Sequence, residues 1–228
     1  MFWRKQRSLQ VPEKFNRNSN NVTSLMSPEE SGLWLLERLQ RVLQLPSYKK
    51  CALLDFGCGV RFSQTLINRK VPIGQYAGVD CFAYMIDFLT TSVKDRRFSY
   101  RLLDVWHPLY NPQGAVRLDA HTKLALPERH FDIATMFSVI THQSPEDAGH
   151  IFSMLRRYTR PEGHLFFSCF LDEDLDSFED RSPERIGGRC VYNPEFLENI
   201  VKQAGWRVVG RYPAEAPLIG DSFLCQPE

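Results

Sequence analysis

The 228-residue sequence predicts an α/β fold, a mainly parallel sheet of seven strands with helices on both faces. Three observations carry that prediction. Short apolar runs of strand length alternate with amphipathic stretches of helical period, a pattern that requires right-handed crossovers and a sheet covered on both sides. The first three runs each end in an aspartate: Asp55, Asp80 and Asp104. The first is followed at once by Gly57-Cys58-Gly59, a glycine pair suited to a tight strand-to-helix turn.

Residues 1–26 are polar, with Asn16, Asn18, Asn20 and Asn21 clustered, and read as a flexible arm or a lid ahead of one folded domain over 27–228. Ser27-Pro28-Glu29-Glu30 supplies an N-cap, a proline at the first helical position and a carboxylate at the third. Leu33, Leu36, Leu39, Val42 and Leu43 give that helix an apolar face, and Pro46 is expected to end it. Strands follow over 51–56, 76–79, 98–103 and 131–137, with helices over 62–68 and 84–89 between the first three. Ser144 caps the next helix, and Pro161-Glu162-Gly163 is expected to turn the chain into a strand over 165–170. Asn193-Pro194 opens a helix whose Phe196, Leu197, Ile200, Val201 and Ala204 fall at helical spacing before Gly205 stops it. The last two strands are expected over 207–212 and 222–225.

Composition narrows the partners. Twenty-eight basic residues against twenty-seven acidic ones leave a formal charge of +1, so no global field favours nucleic acid or an anionic membrane. The six cysteines (51, 58, 81, 169, 190, 225) form no CxxC pair, which argues against a structural zinc and for reduced thiols in the cytoplasm. No apolar run approaches the roughly 20 residues that span a bilayer. The expected partner is therefore a small molecule, with neither nucleic acid, membrane nor metal.

Ligands of such sheets bind outside the carboxyl ends of the strands, which gathers Asp55, Asp80, Asp104 and the residues after Phe137 around one crevice. A carboxylate at the end of the second strand accepts hydrogen bonds from both hydroxyls of a ribose, and Asp80 stands 21 residues beyond Gly59, the spacing such sites use. Through Leu54-Asp55-Phe56-Gly57-Cys58-Gly59, Gly78-Val79-Asp80 and Leu103-Asp104-Val105, the sequence resembles the class I S-adenosylmethionine-dependent methyltransferases. Phe131-Asp132-Ile133 with residues 137–142, and residues 155–163, are similar to later motifs of that family. The resemblance implies a Rossmann-like sheet with an antiparallel last strand and S-adenosylmethionine as cofactor. It assigns the methionine end to Asp55, Gly57 and Gly59, the ribose to Asp80, and the adenine to Asp104 with Val105. Cys58, Cys81 and Phe137 are expected to line the same pocket.

The family's third loop glycine is missing, since Val60 and Arg61 stand there. Arg61 either braces Asp55 or binds an anionic group, or else is a solvated helix-start arginine. A dinucleotide dehydrogenase wants G-x-G-x-x-G, and Phe62 occupies its third glycine. For the chemistry, His142, just past the fourth strand, is the expected general base for a hydroxyl acceptor such as a sugar or secondary metabolite. His107 and Asp104 are alternatives, while His121, His130, His150 and His164 read as ordinary loop, helix or turn residues. Residues 105–129 form the longest irregular stretch, read as an acceptor platform built on Trp106 and Tyr110 or as a loop packing on itself. The acidic run 172–176 reads as a solvated loop. Methylation of a small amine, and cofactor binding without catalysis, are the competing functions.

Overall fold

The computed structural model describes residues 8–15, 26–182, 186–216 and 218–228. The described residues form nine strands and five α-helices, the strands being β1 Ala52–Phe56, β2 Gln75–Asp80, β3 Phe98–Leu102, β4 Phe131–Met136, β5 Thr159–Leu171, β6 Phe178–Asp180, β7 Cys190–Tyr192, β8 Trp206–Tyr212 and β9 Asp221–Pro227. The helices are α1 Pro28–Val42, α2 Arg61–Asn68, α3 Ala83–Ser92, α4 Pro145–Tyr158 and α5 Pro194–Gln203.

The seven expected strands lie side by side in the order β3-β2-β1-β4-β5-β9-β8. The first five run parallel, β9 is antiparallel to β5, and β8 is antiparallel to β9. All five residues of β1 are buried, as a central strand covered on both faces requires. One face packs Leu54, Phe167, Trp206 and Phe223 against Phe152 of α4 and Leu197 of α5, and the other packs Leu53 and Tyr76 against Leu36 of α1, Leu66 of α2 and Leu89 of α3. Each such side chain contributes roughly 1.5–3 kcal/mol on burial.

Three helix starts follow their sequence signals. Ser27 and Glu30 form a reciprocal capping box, with the Ser27 amide donating to Glu30 Oε2 at 2.8 Å and the Glu30 amide to Ser27 Oγ at 3.3 Å. Ser144 Oγ accepts from the Asp147 amide, and Asn193 Oδ1 from the Phe196 amide.

Other expectations need correction. α1 ends at Val42 rather than near Pro46, because Gln44 turns left-handed at φ 52° and breaks the helical ladder first. Pro161-Glu162-Gly163 is a bulge inside β5 and not a turn ahead of it: Phe131 pairs with Thr159 and Ile133 with His164, so the extra residues are absorbed within one strand. The hairpin of β6 and β7 was not expected. It extends the sheet from the last two residues of β5, where Phe170 and Leu171 pair with Val191 and Tyr192. The run 172–176 leads into that hairpin, and Arg181 pairs there with both Asp172 and Glu179. Of residues 1–26, Leu9 and Phe15 are buried, Asn68 bonds both backbone groups of Leu9, and Phe15 stacks on Phe88 at 5.1 Å. Residues 1–7 and 16–25 of that stretch lie outside the described residues.

Candidate active site

The register sets the first acid. Asp55 faces Gly78 on β2 and Thr135 on β4, so its carboxylate is enclosed by neighbouring strands. Tyr76 Oη donates to it at 2.8 Å and Thr135 Oγ1 at 3.0 Å. Burial pushes its pKa up to about 7, against the lowering effect of those two hydrogen bonds and of the Arg61 cation. Burial also lowers the pKa of the Arg61 guanidinium, while the Asp55 charge raises it, so Arg61 lies partly buried within electrostatic reach of this acid. α1 holds it there: a Cβ at Gly32 would lie 3.0 Å from Arg61 Cγ and 2.2 Å from Thr65 Oγ1, so only glycine lets the helices approach this closely.

The glycine turn is tied to β2 at each residue. The Gly57 and Cys58 amides both donate to the Val79 carbonyl, at 2.8 and 3.0 Å, and the Gly59 amide donates to Asp80 Oδ2 at 3.1 Å. Asp80 Oδ1 accepts from the Phe82 amide, so one carboxylate joins the turns after β1 and β2. Gly57 and Gly59 have φ of 70° and 50°, which a residue bearing Cβ adopts at a cost. Cys58 is buried against Gly78 and its thiol pKa is pushed well up by burial, so its side chain packs beneath the turn. Cys81 is partly buried beside Asp80.

Asp104 lies just past β3, exposed, and accepts from Asn111 Nδ2 at 3.0 Å. The same amide donates to the carbonyl of Val105, whose side chain is buried. Residues 105–129 pack on themselves and on α4: the Trp106 amide bonds the Val116 carbonyl, Arg117 lies 3.9 Å over the Trp106 ring, and Tyr158 Oη of α4 holds both backbone groups of Leu124. Phe137 turns its ring toward Phe62 and Phe166. Beyond it, Ser138 is left-handed at φ 57°, a strained serine at the carboxyl end of β4.

His142 ends the short 3-10 turn Ile140–His142. Its Nδ1 lies 2.9 Å from the Gly187 carbonyl oxygen, and because that oxygen only accepts, Nδ1 carries the hydrogen. The Tyr110 ring meets it edge-on at 5.3 Å. His107 is already engaged at both nitrogens: Nε2 donates to the His142 carbonyl at 3.1 Å, and Nδ1 accepts from the amides of Leu109 and Tyr110. It is therefore poorly placed to serve as the base. Sequence reasoning missed Gly187, Tyr76 and Thr135, whose roles depend on strand pairing and on a backbone carbonyl that carries no side-chain signal.

These residues fit an adenosine-bearing cationic ligand. One acid stands at the end of each of three adjacent strands, a Cβ at Gly59 would meet nothing within 4 Å, and the buried Thr141 hydroxyl has no hydrogen-bond partner among the described residues. No group of three His, Cys, Asp or Glu among them is placed to hold a metal ion, and no helix is long and apolar enough to cross a membrane. A cleft of about 390 Å³ lined by Arg129, Arg156 and Arg157 opens beside the residues that precede β4 and β8.

Residues 7–210 match the methyltransferase domain family. Among solved structures, the chain is similar to the Burkholderia thailandensis 1,6-didemethyltoxoflavin-N1-methyltransferase with bound 1,6-didemethyltoxoflavin and S-adenosylhomocysteine, with a TM-score of 0.59 at 15% identity over 90% of this chain and 80% of that one. An S-adenosylmethionine-dependent methyltransferase from Mesorhizobium loti gives 0.58 at 16% identity over 88% of this chain and all of that one. One from Leishmania major gives 0.59 at 15% identity over 86% and 72%. The structural likenesses establish the fold, and the family match spans most of the chain. The protein belongs to the methyltransferase domain family, and the fold it shares with these structures is that of S-adenosylmethionine-dependent methyltransferases.

Proposed function

We propose that the protein methylates a hydroxyl oxygen of a small-molecule acceptor, a sugar or secondary metabolite, with His142 as general base. The observation that supports this is the 2.9 Å hydrogen bond from His142 Nδ1 to the Gly187 carbonyl, which makes Nε2 the nitrogen that takes a proton. When bound, the sulfonium cofactor supplies an electrophilic methyl carbon. The protein's contribution is then alignment, holding the acceptor oxygen roughly 3–3.5 Å from that carbon. His142 Nε2 would take the hydroxyl proton when the methyl group passes to the acceptor oxygen, leaving the cofactor as its neutral thioether.

In this reading Asp55, Gly57, Gly59 and the Cys58 backbone hold the methionine end, Asp80 the ribose, and Asp104 with Val105 the adenine. Cys81 and Phe137 line the pocket. Residues 1–26 act as an arm or lid on the domain over 27–228, anchored through Leu9 and Phe15. The six cysteines form no disulfide among the described residues, which suits the cytoplasm.

The test is calorimetric titration with S-adenosylmethionine and, separately, NADH, followed by a panel of sugar and phenolic acceptors. His142→Gln is expected to lower turnover roughly 10²–10⁴-fold on a hydroxyl acceptor. A second reading, N-methylation, is favoured by the bound ring acceptor of the Burkholderia N1-methyltransferase. An amine that arrives deprotonated needs no base, so an amine substrate turned over equally well by His142→Gln would replace the first reading. Cofactor binding with no turnover across the panel would favour a non-catalytic protein.

A further inference from the structure

The β6–β7 hairpin and the part of the loop after β3 that lies beyond Val105 have no part in the cofactor assignment, yet both converge on His142. From the hairpin side, the Gly187 carbonyl accepts from His142 Nδ1, and the Gly187 amide donates to Asp180 Oδ2 at 2.6 Å. Asp180 Oδ1 takes the Ser182 amide, so the carboxylate spans the hairpin and anchors the residue whose carbonyl meets the imidazole. Gly187 has φ of 72°, and a Cβ there would lie 3.1 Å from the His142 carbonyl oxygen and 3.9 Å from His107 Cε1. The closeness of the contact explains the glycine. From the loop side, the buried His107 donates from Nε2 to the His142 carbonyl while two backbone amides occupy its Nδ1. The Tyr110 ring lies between the two imidazoles, 4.9 Å from one and 5.3 Å from the other. Tyr192 Oη donates to the Gln143 carbonyl at 2.7 Å and secures β7 to the same turn.

We propose that Asp180, Gly187 and His107 are positioning residues for methyl transfer: together they hold His142 in its Nδ1–H tautomer, so that Nε2 is the proton acceptor. The inference rests on the assignment of His142 as base. If the imidazole carried its hydrogen on Nε2, the Nδ1 lone pair would face the Gly187 oxygen at hydrogen-bond distance, and two acceptors would repel each other. Anchoring Gly187 through Asp180 keeps its carbonyl against Nδ1 and so favours the Nδ1–H tautomer. Clamping the His142 backbone through His107 removes the shift of the turn that would relieve the contact. Proton balance follows: the hydroxyl proton goes to Nε2, the imidazolium keeps its Nδ1 hydrogen on Gly187, and solvent takes the extra proton after release.

The experiment labels the histidines with nitrogen-15 and reads the His142 tautomer by long-range proton–nitrogen correlation, alongside calorimetry with S-adenosylmethionine and turnover of the sugar or phenolic acceptor found in the panel. Wild-type protein is expected to show the Nδ1–H form. Asp180→Ala is expected to give a mixture of tautomers and about a 10- to 100-fold loss in kcat, with cofactor affinity retained. Asp180→Asn keeps an acceptor oxygen for the Gly187 amide and is expected to recover most of both; it also guards against a folding defect in the alanine variant. An Nε2–H form in wild type, or an unchanged tautomer and kcat in Asp180→Ala, overturns the proposal. Full turnover by His142→Gln with the Nδ1–H form intact in wild type would instead overturn the assignment of His142 as base, which separates the two failures.

Discussion

Asp80 Oδ2 accepts the backbone N–H of Gly59 at 3.1 Å across 21 residues of sequence, while its Oδ1 accepts that of Phe82. The carboxylate therefore organises two turns, and its remaining lone pairs can receive the hydroxyls of a ribose. Asp80→Ala removes both functions at once. A hydrogen bond to a charged group is worth about 1.5–3 kcal/mol, so the variant is expected to bind S-adenosylmethionine roughly 10- to 100-fold more weakly by calorimetry. Asp80→Asn, which keeps an acceptor for one turn, should fall between the two. Equal affinity in Asp80→Ala would remove Asp80 from the cofactor site.

The buried Asp55 makes stability depend on pH. Its carboxyl titrates at about 7 in the folded protein against an ordinary 3.8, so the folded state holds the proton more tightly than the unfolded chain. The group's contribution to stability is whole below the lower value and is lost as pH rises through the upper one. Asp55→Asn carries no such charge, and Tyr76 and Thr135 can reorient their hydroxyls toward its amide. Relative to wild type, the variant is expected to gain on the order of 3 kcal/mol between pH 5 and pH 8 in denaturant unfolding. A constant difference across that range would show that Asp55 ionises normally.

The succession of strands and helices along the chain and the acids at the strand ends were legible in the sequence because each depends on local signals: an apolar run, a turn, a capping residue. The β6–β7 hairpin was not, since Phe178-Glu179-Asp180 and Cys190-Val191-Tyr192 are three-residue strands with no periodicity of their own, formed only where β5 offers an edge. The partner of His142 was hidden for a related reason: a backbone carbonyl looks the same at every residue, and Gly187 is separated from His142 by 45 positions. Arg61 lay open between two environments because its burial depends on Gly32, a residue on another helix. Pro161-Glu162-Gly163 resembled a turn because the local signals of a bulge and a turn are the same; only the register against β4 distinguishes them.

Phe15 anchors the segment ahead of α1. It is buried and stacks on Phe88 of α3, and nearby Leu9 is held by Asn68 of α2. Phe15→Ala leaves a void between this segment and α3, with an expected cost of about 3 kcal/mol in chemical denaturation. A cost near zero would mean that the segment does not pack on the domain in solution.

The two loop glycines should fail in different ways when each is replaced by alanine. At Gly57 an added Cβ would lie 2.4 Å from Val139 Cγ2, and φ is 70°, so Gly57→Ala suffers both a clash and a left-handed backbone. The backbone part alone costs roughly 1–2 kcal/mol, and the clash adds to it until the segment after β4 shifts. Gly57→Ala with Val139→Ala is expected to recover the steric part while keeping the backbone cost, which a double-mutant cycle in thermal unfolding would resolve. At Gly59 φ is 50° and a Cβ would meet nothing within 4 Å, so Gly59→Ala should unfold close to wild type, within about 1–2 kcal/mol. Its methyl group would instead stand in the open space beside the turn where the methionine end is assigned. Weakened S-adenosylmethionine binding with near-normal stability is therefore the expected signature of Gly59→Ala, and the reverse balance that of Gly57→Ala. Unchanged cofactor affinity in Gly59→Ala would place the ligand away from this turn.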